Sequence, residues 1–314
     1  MPAILEVKQL VKKYGEKVAV NGINFDIQEG EIFSLLGPNG AGKTTTISVL
    51  STLYAPTSGD AVIGGHSVAR EPMAVRKLIG VVPQDLALYD DLTARENLSF
   101  WGQMYDLSGK ALQQRIDQVL EQIGLKDRAK QRVKTFSGGM KRRVNIGVGL
   151  LHRPRLLFMD EPTVGIDPQS RRAILDSVKE LNRQGMTVLY TTHYMEEAQE
   201  LSDRVGIIDH GDLIALGTQG ELTRQVGEYE SLQLHLGEMD DSQGLAAALR
   251  GLEGVVRADV IDHSITVITP DAEKVLAPAV SRANEKNIKI RSVNIQEPNL
   301  EAVFLHLTGR ALRD

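Results

Sequence analysis

The stretch "EIFSLLGPNGAGKTTTISVL", Glu31 to Leu50, decides how this chain is built. An apolar run breaks into a glycine-rich turn and then into a helical pattern. The turn runs through Gly37, Pro38, Asn39, Gly40, Ala41, Gly42, Lys43 and Thr44. It fits G-x-x-x-x-G-K-[ST] in the strand–loop–helix context that gives that pattern its meaning. Glycines let successive backbone N–H groups turn inward around phosphate oxygens. Lys43 brings a point charge to the outer phosphates, and Thr44, followed by Thr45, offers a hydroxyl to Mg²⁺.

Outward from this turn, short apolar runs alternate with helical patterns, which predicts a covered, mostly parallel sheet. Strands are expected at 31–37, 78–84, 154–161, 186–193 and 204–209, and helices at Lys43–Leu53, Met140–His152 and Pro168–Arg183. The opening segment and "DAVIGGHSV" read as antiparallel strands beside that core. Between Asp90 and Lys134 the pattern is helical, "LTARENLSFWGQMYDL" and then "KALQQRIDQVLEQIGL", so a helical subdomain is expected at about 90–152. The pattern changes near Gln225. Residues 226–314 read as β-α-β-β-α-β, the order of a ferredoxin-like α+β unit. Alternation slips between Ile290 and Val293, which suggests a bulge. A last helix, "NLEAVFLHL", is expected to start at Asn299 after Pro298.

Composition narrows the function. The 314 residues are 42% hydrophobic and 25% charged, as in soluble globular proteins. With a net charge of −5, no excess of positive charge points to a nucleic-acid partner. Cysteine is absent, which removes disulfides and thiolate chemistry. No run approaches the ~18 apolar residues of a membrane span, and the N-terminus lacks a signal-peptide core. A cytoplasmic protein is expected, with any membrane role supplied by another chain.

Three further places carry chemistry. "LLFMDE" ends a buried strand, expected beside the cradle strand, with two carboxylates. Asp160 suits a Mg²⁺ site and Glu161 could polarise an attacking water. His193, ending "TTH", and Gln84, ending "VVPQ", are polar side chains leaving buried strands on the same edge of the sheet. The stretch "KTFSGGMKRRVNIGVGLL", Lys134 to Leu151, is a second helix start suited to gripping an anion, this time without a lysine.

Taken in order, Tyr14, "GPNGAGKT", Gln84, "SGGM", "LLFMDE", "GID" and His193 resemble the ATP-binding cassette (ABC) transporter ATPase family, over residues 1 to 225. The resemblance implies a P-loop NTPase cassette that binds ATP and Mg²⁺, the cation held by Thr44, Gln84 and Asp160. It implies that Tyr14 stacks on adenine and that Gln84 senses a membrane partner. Glu161 becomes the catalytic base, assisted by Lys43, and His193 contacts the γ-phosphate. Asp167 of "GID" joins the nucleotide set. In this family two cassettes pair head to tail, so Ser137, Gly138 and Gly139 would close on ATP held by the other chain. That would explain a second helix start without a lysine.

The chain departs from the family pattern at Phe136, Met140 and Val164, where leucine, glutamine and serine are usual. The basic run Lys141–Arg143 reads as a solvated helix face or as a partner for acids across the dimer. Phe100, Trp101 and Tyr105 fit either a wall for a membrane-subunit helix or core packing. The tail, ending "PNLEAVFLHLTGR", resembles that of drug-resistance-type exporter ATPases, which implies a homodimer or paired cassette beneath separate permease subunits. An importer ATPase and a soluble non-transport cassette protein are the alternatives.

Overall fold

The structure is a computed structural model that describes residues 2–225, 230–237, 241–261, 264–296 and 299–308. It divides into two compact units, one ending at Thr218 and the next beginning at Gln219.

The first unit opens with two long strands, β1 (Ala3–Tyr14) and β2 (Lys17–Gln28), joined by a tight turn. β3 (Ile32–Leu36) leads through the cradle into α1 (Lys43–Leu50). β4 (Ser58–Ile63) and β5 (His66–Ser67) return to the first pair, giving an antiparallel sheet in the order β2-β1-β4-β5. After α2 (Pro72–Leu78) and β6 (Ile79–Val82) come the helices of the insert: α3 (Ala94–Met104), α4 (Gly109–Gln122) and α5 (Gly138–Leu150). Then follow β7 (Leu156–Asp160), α6 (Pro168–Arg183), β8 (Thr187–Thr192), α7 (Met195–Leu201), β9 (Arg204–Asp209) and β10 (Asp212–Gly217).

The central sheet has the order β10-β9-β3-β8-β7-β6. All its pairs are parallel except β10 with β9. Every residue of β3, β7 and β8 is buried, as a strand covered on both faces requires. Successive side chains point to opposite faces. Leu157 and Met159 therefore enter the core shared with the insert and α6, while Leu156 and Phe158 enter the core shared with α1 and the antiparallel sheet. Phe25 and Phe33 stack at 5.1 Å across the join between the two sheets. Truncating a buried phenylalanine such as Phe158 to alanine typically costs about 3–5 kcal/mol.

One expectation needs correcting. The acidic strand β7 is not beside the cradle strand β3, because β8 lies between them. His193, at the end of β8, is thereby set between the cradle and the carboxylates.

The second unit holds α8 (Gln219–Gln225), β11 (Glu230–His235), α9 (Ser242–Leu249), β12 (Arg257–Ile261), β13 (Ser264–Thr269), α10 (Ala272–Glu285), β14 (Ser292–Gln296) and α11 (Leu300–Thr308). Its sheet is antiparallel in the order β12-β13-β11-β14. Leu232, Leu234, Ile265 and Val267 pack against Leu245, Leu249, Val275 and Ala279 of α9 and α10. The slip in alternation near Ile290 is not a bulge. β14 begins only at Ser292 and then runs in unbroken register with β11. Asn299 caps α11 by accepting from the Ala302 N–H at 3.0 Å, whereas Pro298 and residues 309–314 lie outside the described residues.

Candidate functional site

The cradle leaves its helix start open. Gly42, at φ 112°, is the cap of α1, and no side chain caps that helix or places an acid in its first turn. The leading N–H groups and the positive end of the helix dipole are thus kept for an anion. A Cβ on Gly42 would lie 2.5 Å from the Ala19 carbonyl oxygen, so only glycine fits the approach.

Lys43 is 3% exposed. Its Nζ donates to the carbonyls of Gly37 at 2.7 Å and Pro38 at 3.0 Å, and pairs with Glu161 Oε1 at 2.9 Å. An ammonium has three protons, so all of them are committed. To reach a phosphate, Lys43 must exchange a partner. Glu161 is held on its other oxygen by His193 Nδ1 at 3.1 Å, and its backbone φ of 44° puts it in the left-handed region. For a non-glycine residue this costs of order 1–3 kcal/mol and persists where surrounding structure imposes it. Here the Glu161 N–H donates to Thr191 Oγ1 at 3.0 Å. Thr191 Oγ1 in turn donates to Asp160 Oδ1 at 2.7 Å. Burial pushes the Asp160 carboxyl above the usual aspartate value, against hydrogen bonds from Thr191 and Thr44 that pull it down. Such a carboxylate gains from a cation placed beside it.

A cavity of about 380 Å³ gathers Tyr14, Asn39, Gly40, Gly42, Lys43, Thr44, Thr45, Gln84 and Glu161. Tyr14, 45% exposed, meets Tyr54 edge-on at 6.0 Å, with Lys12 Nζ 5.2 Å from its ring centroid. Gly37, Pro38, Ala41, Asp160 and His193 are not among the lining residues. Lys17, Val18, Ala19 and His210 also line it and were missed. A signal for Lys17 was available: the turn "YGEK" sets it opposite Tyr14 in the β1–β2 ladder. Nothing local marks His210, which reaches the cavity only because β9 adjoins β3.

The second helix start lies elsewhere. Ser137 and Gly138 are exposed and do not line the cavity of their own chain. Ser137 caps α5, accepting from the Met140 N–H at 3.3 Å. Gly139 is there for contact, since a Cβ would lie 2.3 Å from the Cβ of Ser170. Asp167 caps α6 by accepting from the Ser170 N–H at 2.9 Å.

The basic run is not a solvated face. Lys141 pairs with Asp90 at 2.8 Å, Arg142 is buried against the carbonyls of Pro83 and Gln84, and Arg143 donates to the Ile123 carbonyl. Trp101 is packed on the core and donates to the Ala87 carbonyl at 2.9 Å, and Tyr105 stacks on His152 at 4.0 Å.

Among the described residues no group of three or more His, Asp or Glu side chains is disposed to hold a metal. The oxygen donors present, Thr44, Gln84 and Asp160, instead suit a hard cation that takes most of its ligands from phosphate and water. No helix among those residues is long and apolar enough to cross a membrane.

Residues 20–164 match the family described as ABC transporter. Over 313 residues the chain is 48% identical to the linearmycin resistance ATP-binding protein LnrL of Bacillus subtilis (strain 168), covering 99% of this chain and 100% of the relative. Over 304 residues it is 39% identical to the doxorubicin resistance ATP-binding protein DrrA of Mycobacterium tuberculosis (strain CDC 1551 / Oshkosh), covering 94% and 89%. It is also similar to the ATP-binding cassette MJ0796, solved as a dimer in a post-hydrolysis state with ADP and Pi. That match has a TM-score of 0.61 and 28% identity, over 68% of this chain and 98% of that one. The likeness to LnrL runs through both units, and the chain belongs to the ABC transporter family as one of its ATPases.

Proposed function

We propose that the chain is the ATP-hydrolysing subunit of an exporter, working as a dimer on the cytoplasmic face beneath separate membrane subunits. The observation that carries this reading is Glu161, buried and held between Lys43 and His193. An arriving γ-phosphate draws Lys43 away, which frees one carboxylate oxygen to take a proton from water while His193 keeps the side chain oriented. Tyr14 offers the adenine a face, and the open start of α1 takes the phosphates. Thr44, Gln84 and Asp160 would hold Mg²⁺, which neutralises charge on the phosphates.

The exposed Ser137 and Gly138, with the buried Gly139 beside them and Asp167, suit the nucleotide of a second copy, since they stand apart from their own cavity. ATP would then hold the dimer closed until hydrolysis releases it. Relatives named for linearmycin and doxorubicin resistance favour export, with cargo of the drug class. The second unit, which begins at Gln219 rather than at 226, serves as an accessory domain for interaction or regulation.

Glu161→Gln tests the reading. It keeps the side chain's shape and removes the base, so turnover should fall by about 10²–10⁴-fold. Fluorescent-ATP binding should survive, and sizing with Mg²⁺-ATP should show an accumulated dimer. Hydrolysis at the wild-type rate would remove Glu161 from the role.

A further inference from the structure

The loop that carries Gln84 to the cavity borrows its backbone partners from the helical insert. The Pro83 carbonyl accepts from Arg142 Nη1 at 2.9 Å and from Asn145 Nδ2 at 3.4 Å. The Gln84 carbonyl accepts from Arg142 Nη2 at 2.8 Å. The Ala87 N–H donates to Asn145 Oδ1 at 3.2 Å. Trp101 holds the Ala87 carbonyl, and Asn97 holds both the N–H and the carbonyl of Tyr89. From Pro83 to Tyr89 these side-chain bonds all come from α3 and α5.

Arg142 is the unusual member. It is 4% exposed, its Nε has no hydrogen-bond partner, and no carboxylate among the described residues lies within salt-bridge distance of it. Burial pulls its guanidinium below the usual arginine value, against the nearby charge of Asp85, which pulls it up. A buried charge with no salt-bridge partner in contact is costly, and an apolar side chain would fill the space without that cost. What an apolar residue lacks is a planar fork that fixes two successive carbonyls at once. Arg142 follows Ser137 by five positions on the same helix, ~7.5 Å along its axis.

We propose that Arg142 is a positioning residue whose fork on the Pro83 and Gln84 carbonyls makes the Gln84 loop and the Ser137 end of α5 move as one body. A displacement of α5 then shifts Gln84 in the cavity of its own chain, and a pull on Gln84 shifts Ser137. This rests on the assignment of Gln84 and Ser137 to nucleotide made above.

A double-mutant cycle on the full chain tests it, with Arg142→Met, Arg142→Lys and Gln84→Ala. Turnover is measured, as is the Mg²⁺ concentration that half-saturates fluorescent-ATP binding. Arg142→Met should lower kcat about tenfold while leaving KM for ATP within about twofold, because the cradle is untouched. Arg142→Lys, which keeps one of the two bonds, should lose about threefold and carries the cycle if the methionine variant does not fold. In the Gln84→Ala background either change should cost less than about twofold more, since a residue acting through Gln84 has nothing left to position. The shift in Mg²⁺ half-saturation should show the same non-additivity, even where turnover is too slow to measure. Full multiplicative losses in both backgrounds, or no loss in either, would overturn the clamp. Wild-type turnover and Mg²⁺ dependence in Gln84→Ala alone would instead overturn the assignment of Gln84, and the clamp with it.

Discussion

Two helix starts in one cassette are built in opposite ways. α1 begins at an uncapped glycine with a buried lysine as its first residue, and its N–H groups face a cavity lined by the same chain. α5 begins at a serine that caps its own helix, with two glycines and no cation in the first turn, and it faces outward. The difference is one of completeness. The first start has the field and the lysine that a polyphosphate needs, and beside them a carboxylate, Asp160, suited to the cation that accompanies it. The second has only a hydroxyl and a dipole, worth fractions of a kcal/mol to ~2 kcal/mol, and so can complete a site but not found one.

The sharpest way to break this contrast is to damage each start separately and then mix the products. Lys43→Ala removes a charged hydrogen-bond donor and should weaken ATP binding about 10- to 100-fold. Ser137→Arg should leave binding to the isolated chain unchanged by fluorescence titration while abolishing closure and turnover. A mixture of the two variants contains one composite site with both lesions and one with neither, so some ATPase activity should return. If Ser137→Arg abolishes binding to the folded monomer, the two starts serve one site and the contrast collapses.

A smaller effect isolates packing from chemistry at the second start. Gly139→Val drives a side chain into Ser170 on α6, and overpacking of this kind costs about 1–3 kcal/mol. Thermal melting should report the loss even without nucleotide. An unchanged melting temperature would mean that α5 and α6 slide apart freely.

The smallest effect concerns the carboxylates that make the first start complete. Because burial raises the Asp160 pKa in the folded chain, the native state keeps that proton to higher pH than the unfolded chain does. The stability so contributed is full below the ordinary aspartate value and is lost as pH rises through the native one. Asp160→Asn should therefore flatten the decline of the nucleotide-free melting temperature as pH rises from ~4 towards neutrality. It should also impair Mg²⁺-ATP turnover, as expected where function holds a destabilising group in place. A parallel decline in wild type and variant would exclude this source of the pH dependence.

Much of the cassette was legible before any coordinates. The cradle reads directly because its meaning is local: glycines, a lysine and a threonine at fixed spacing between a strand and a helix. The strands read because burial on both faces demands continuous apolar runs, and the start of α6 at Pro168 follows from an aspartate cap with proline behind it. Gly139 also packs against Ser170, a contact set by the neighbouring helix that its own sequence cannot carry.

Strand order was decided only in three dimensions. "IFSLL", "LLFMD" and "TVLYTT" are alike as patterns, and nothing in them says that β8 divides β3 from β7. Parallel neighbours are chosen by crossover connections and by packing of the covering helices, not by the strands' own residues. That choice places His193 against Glu161 and Glu161 against Lys43. The charged run Lys141–Arg143 makes the same point on a helix. Consecutive residues are turned by about 100°, so three in a row cannot share one solvated face. Geometry alone required that they diverge, but only the fold, by laying the Gln84 loop across α5, determined that Arg142 would be the one turned inward.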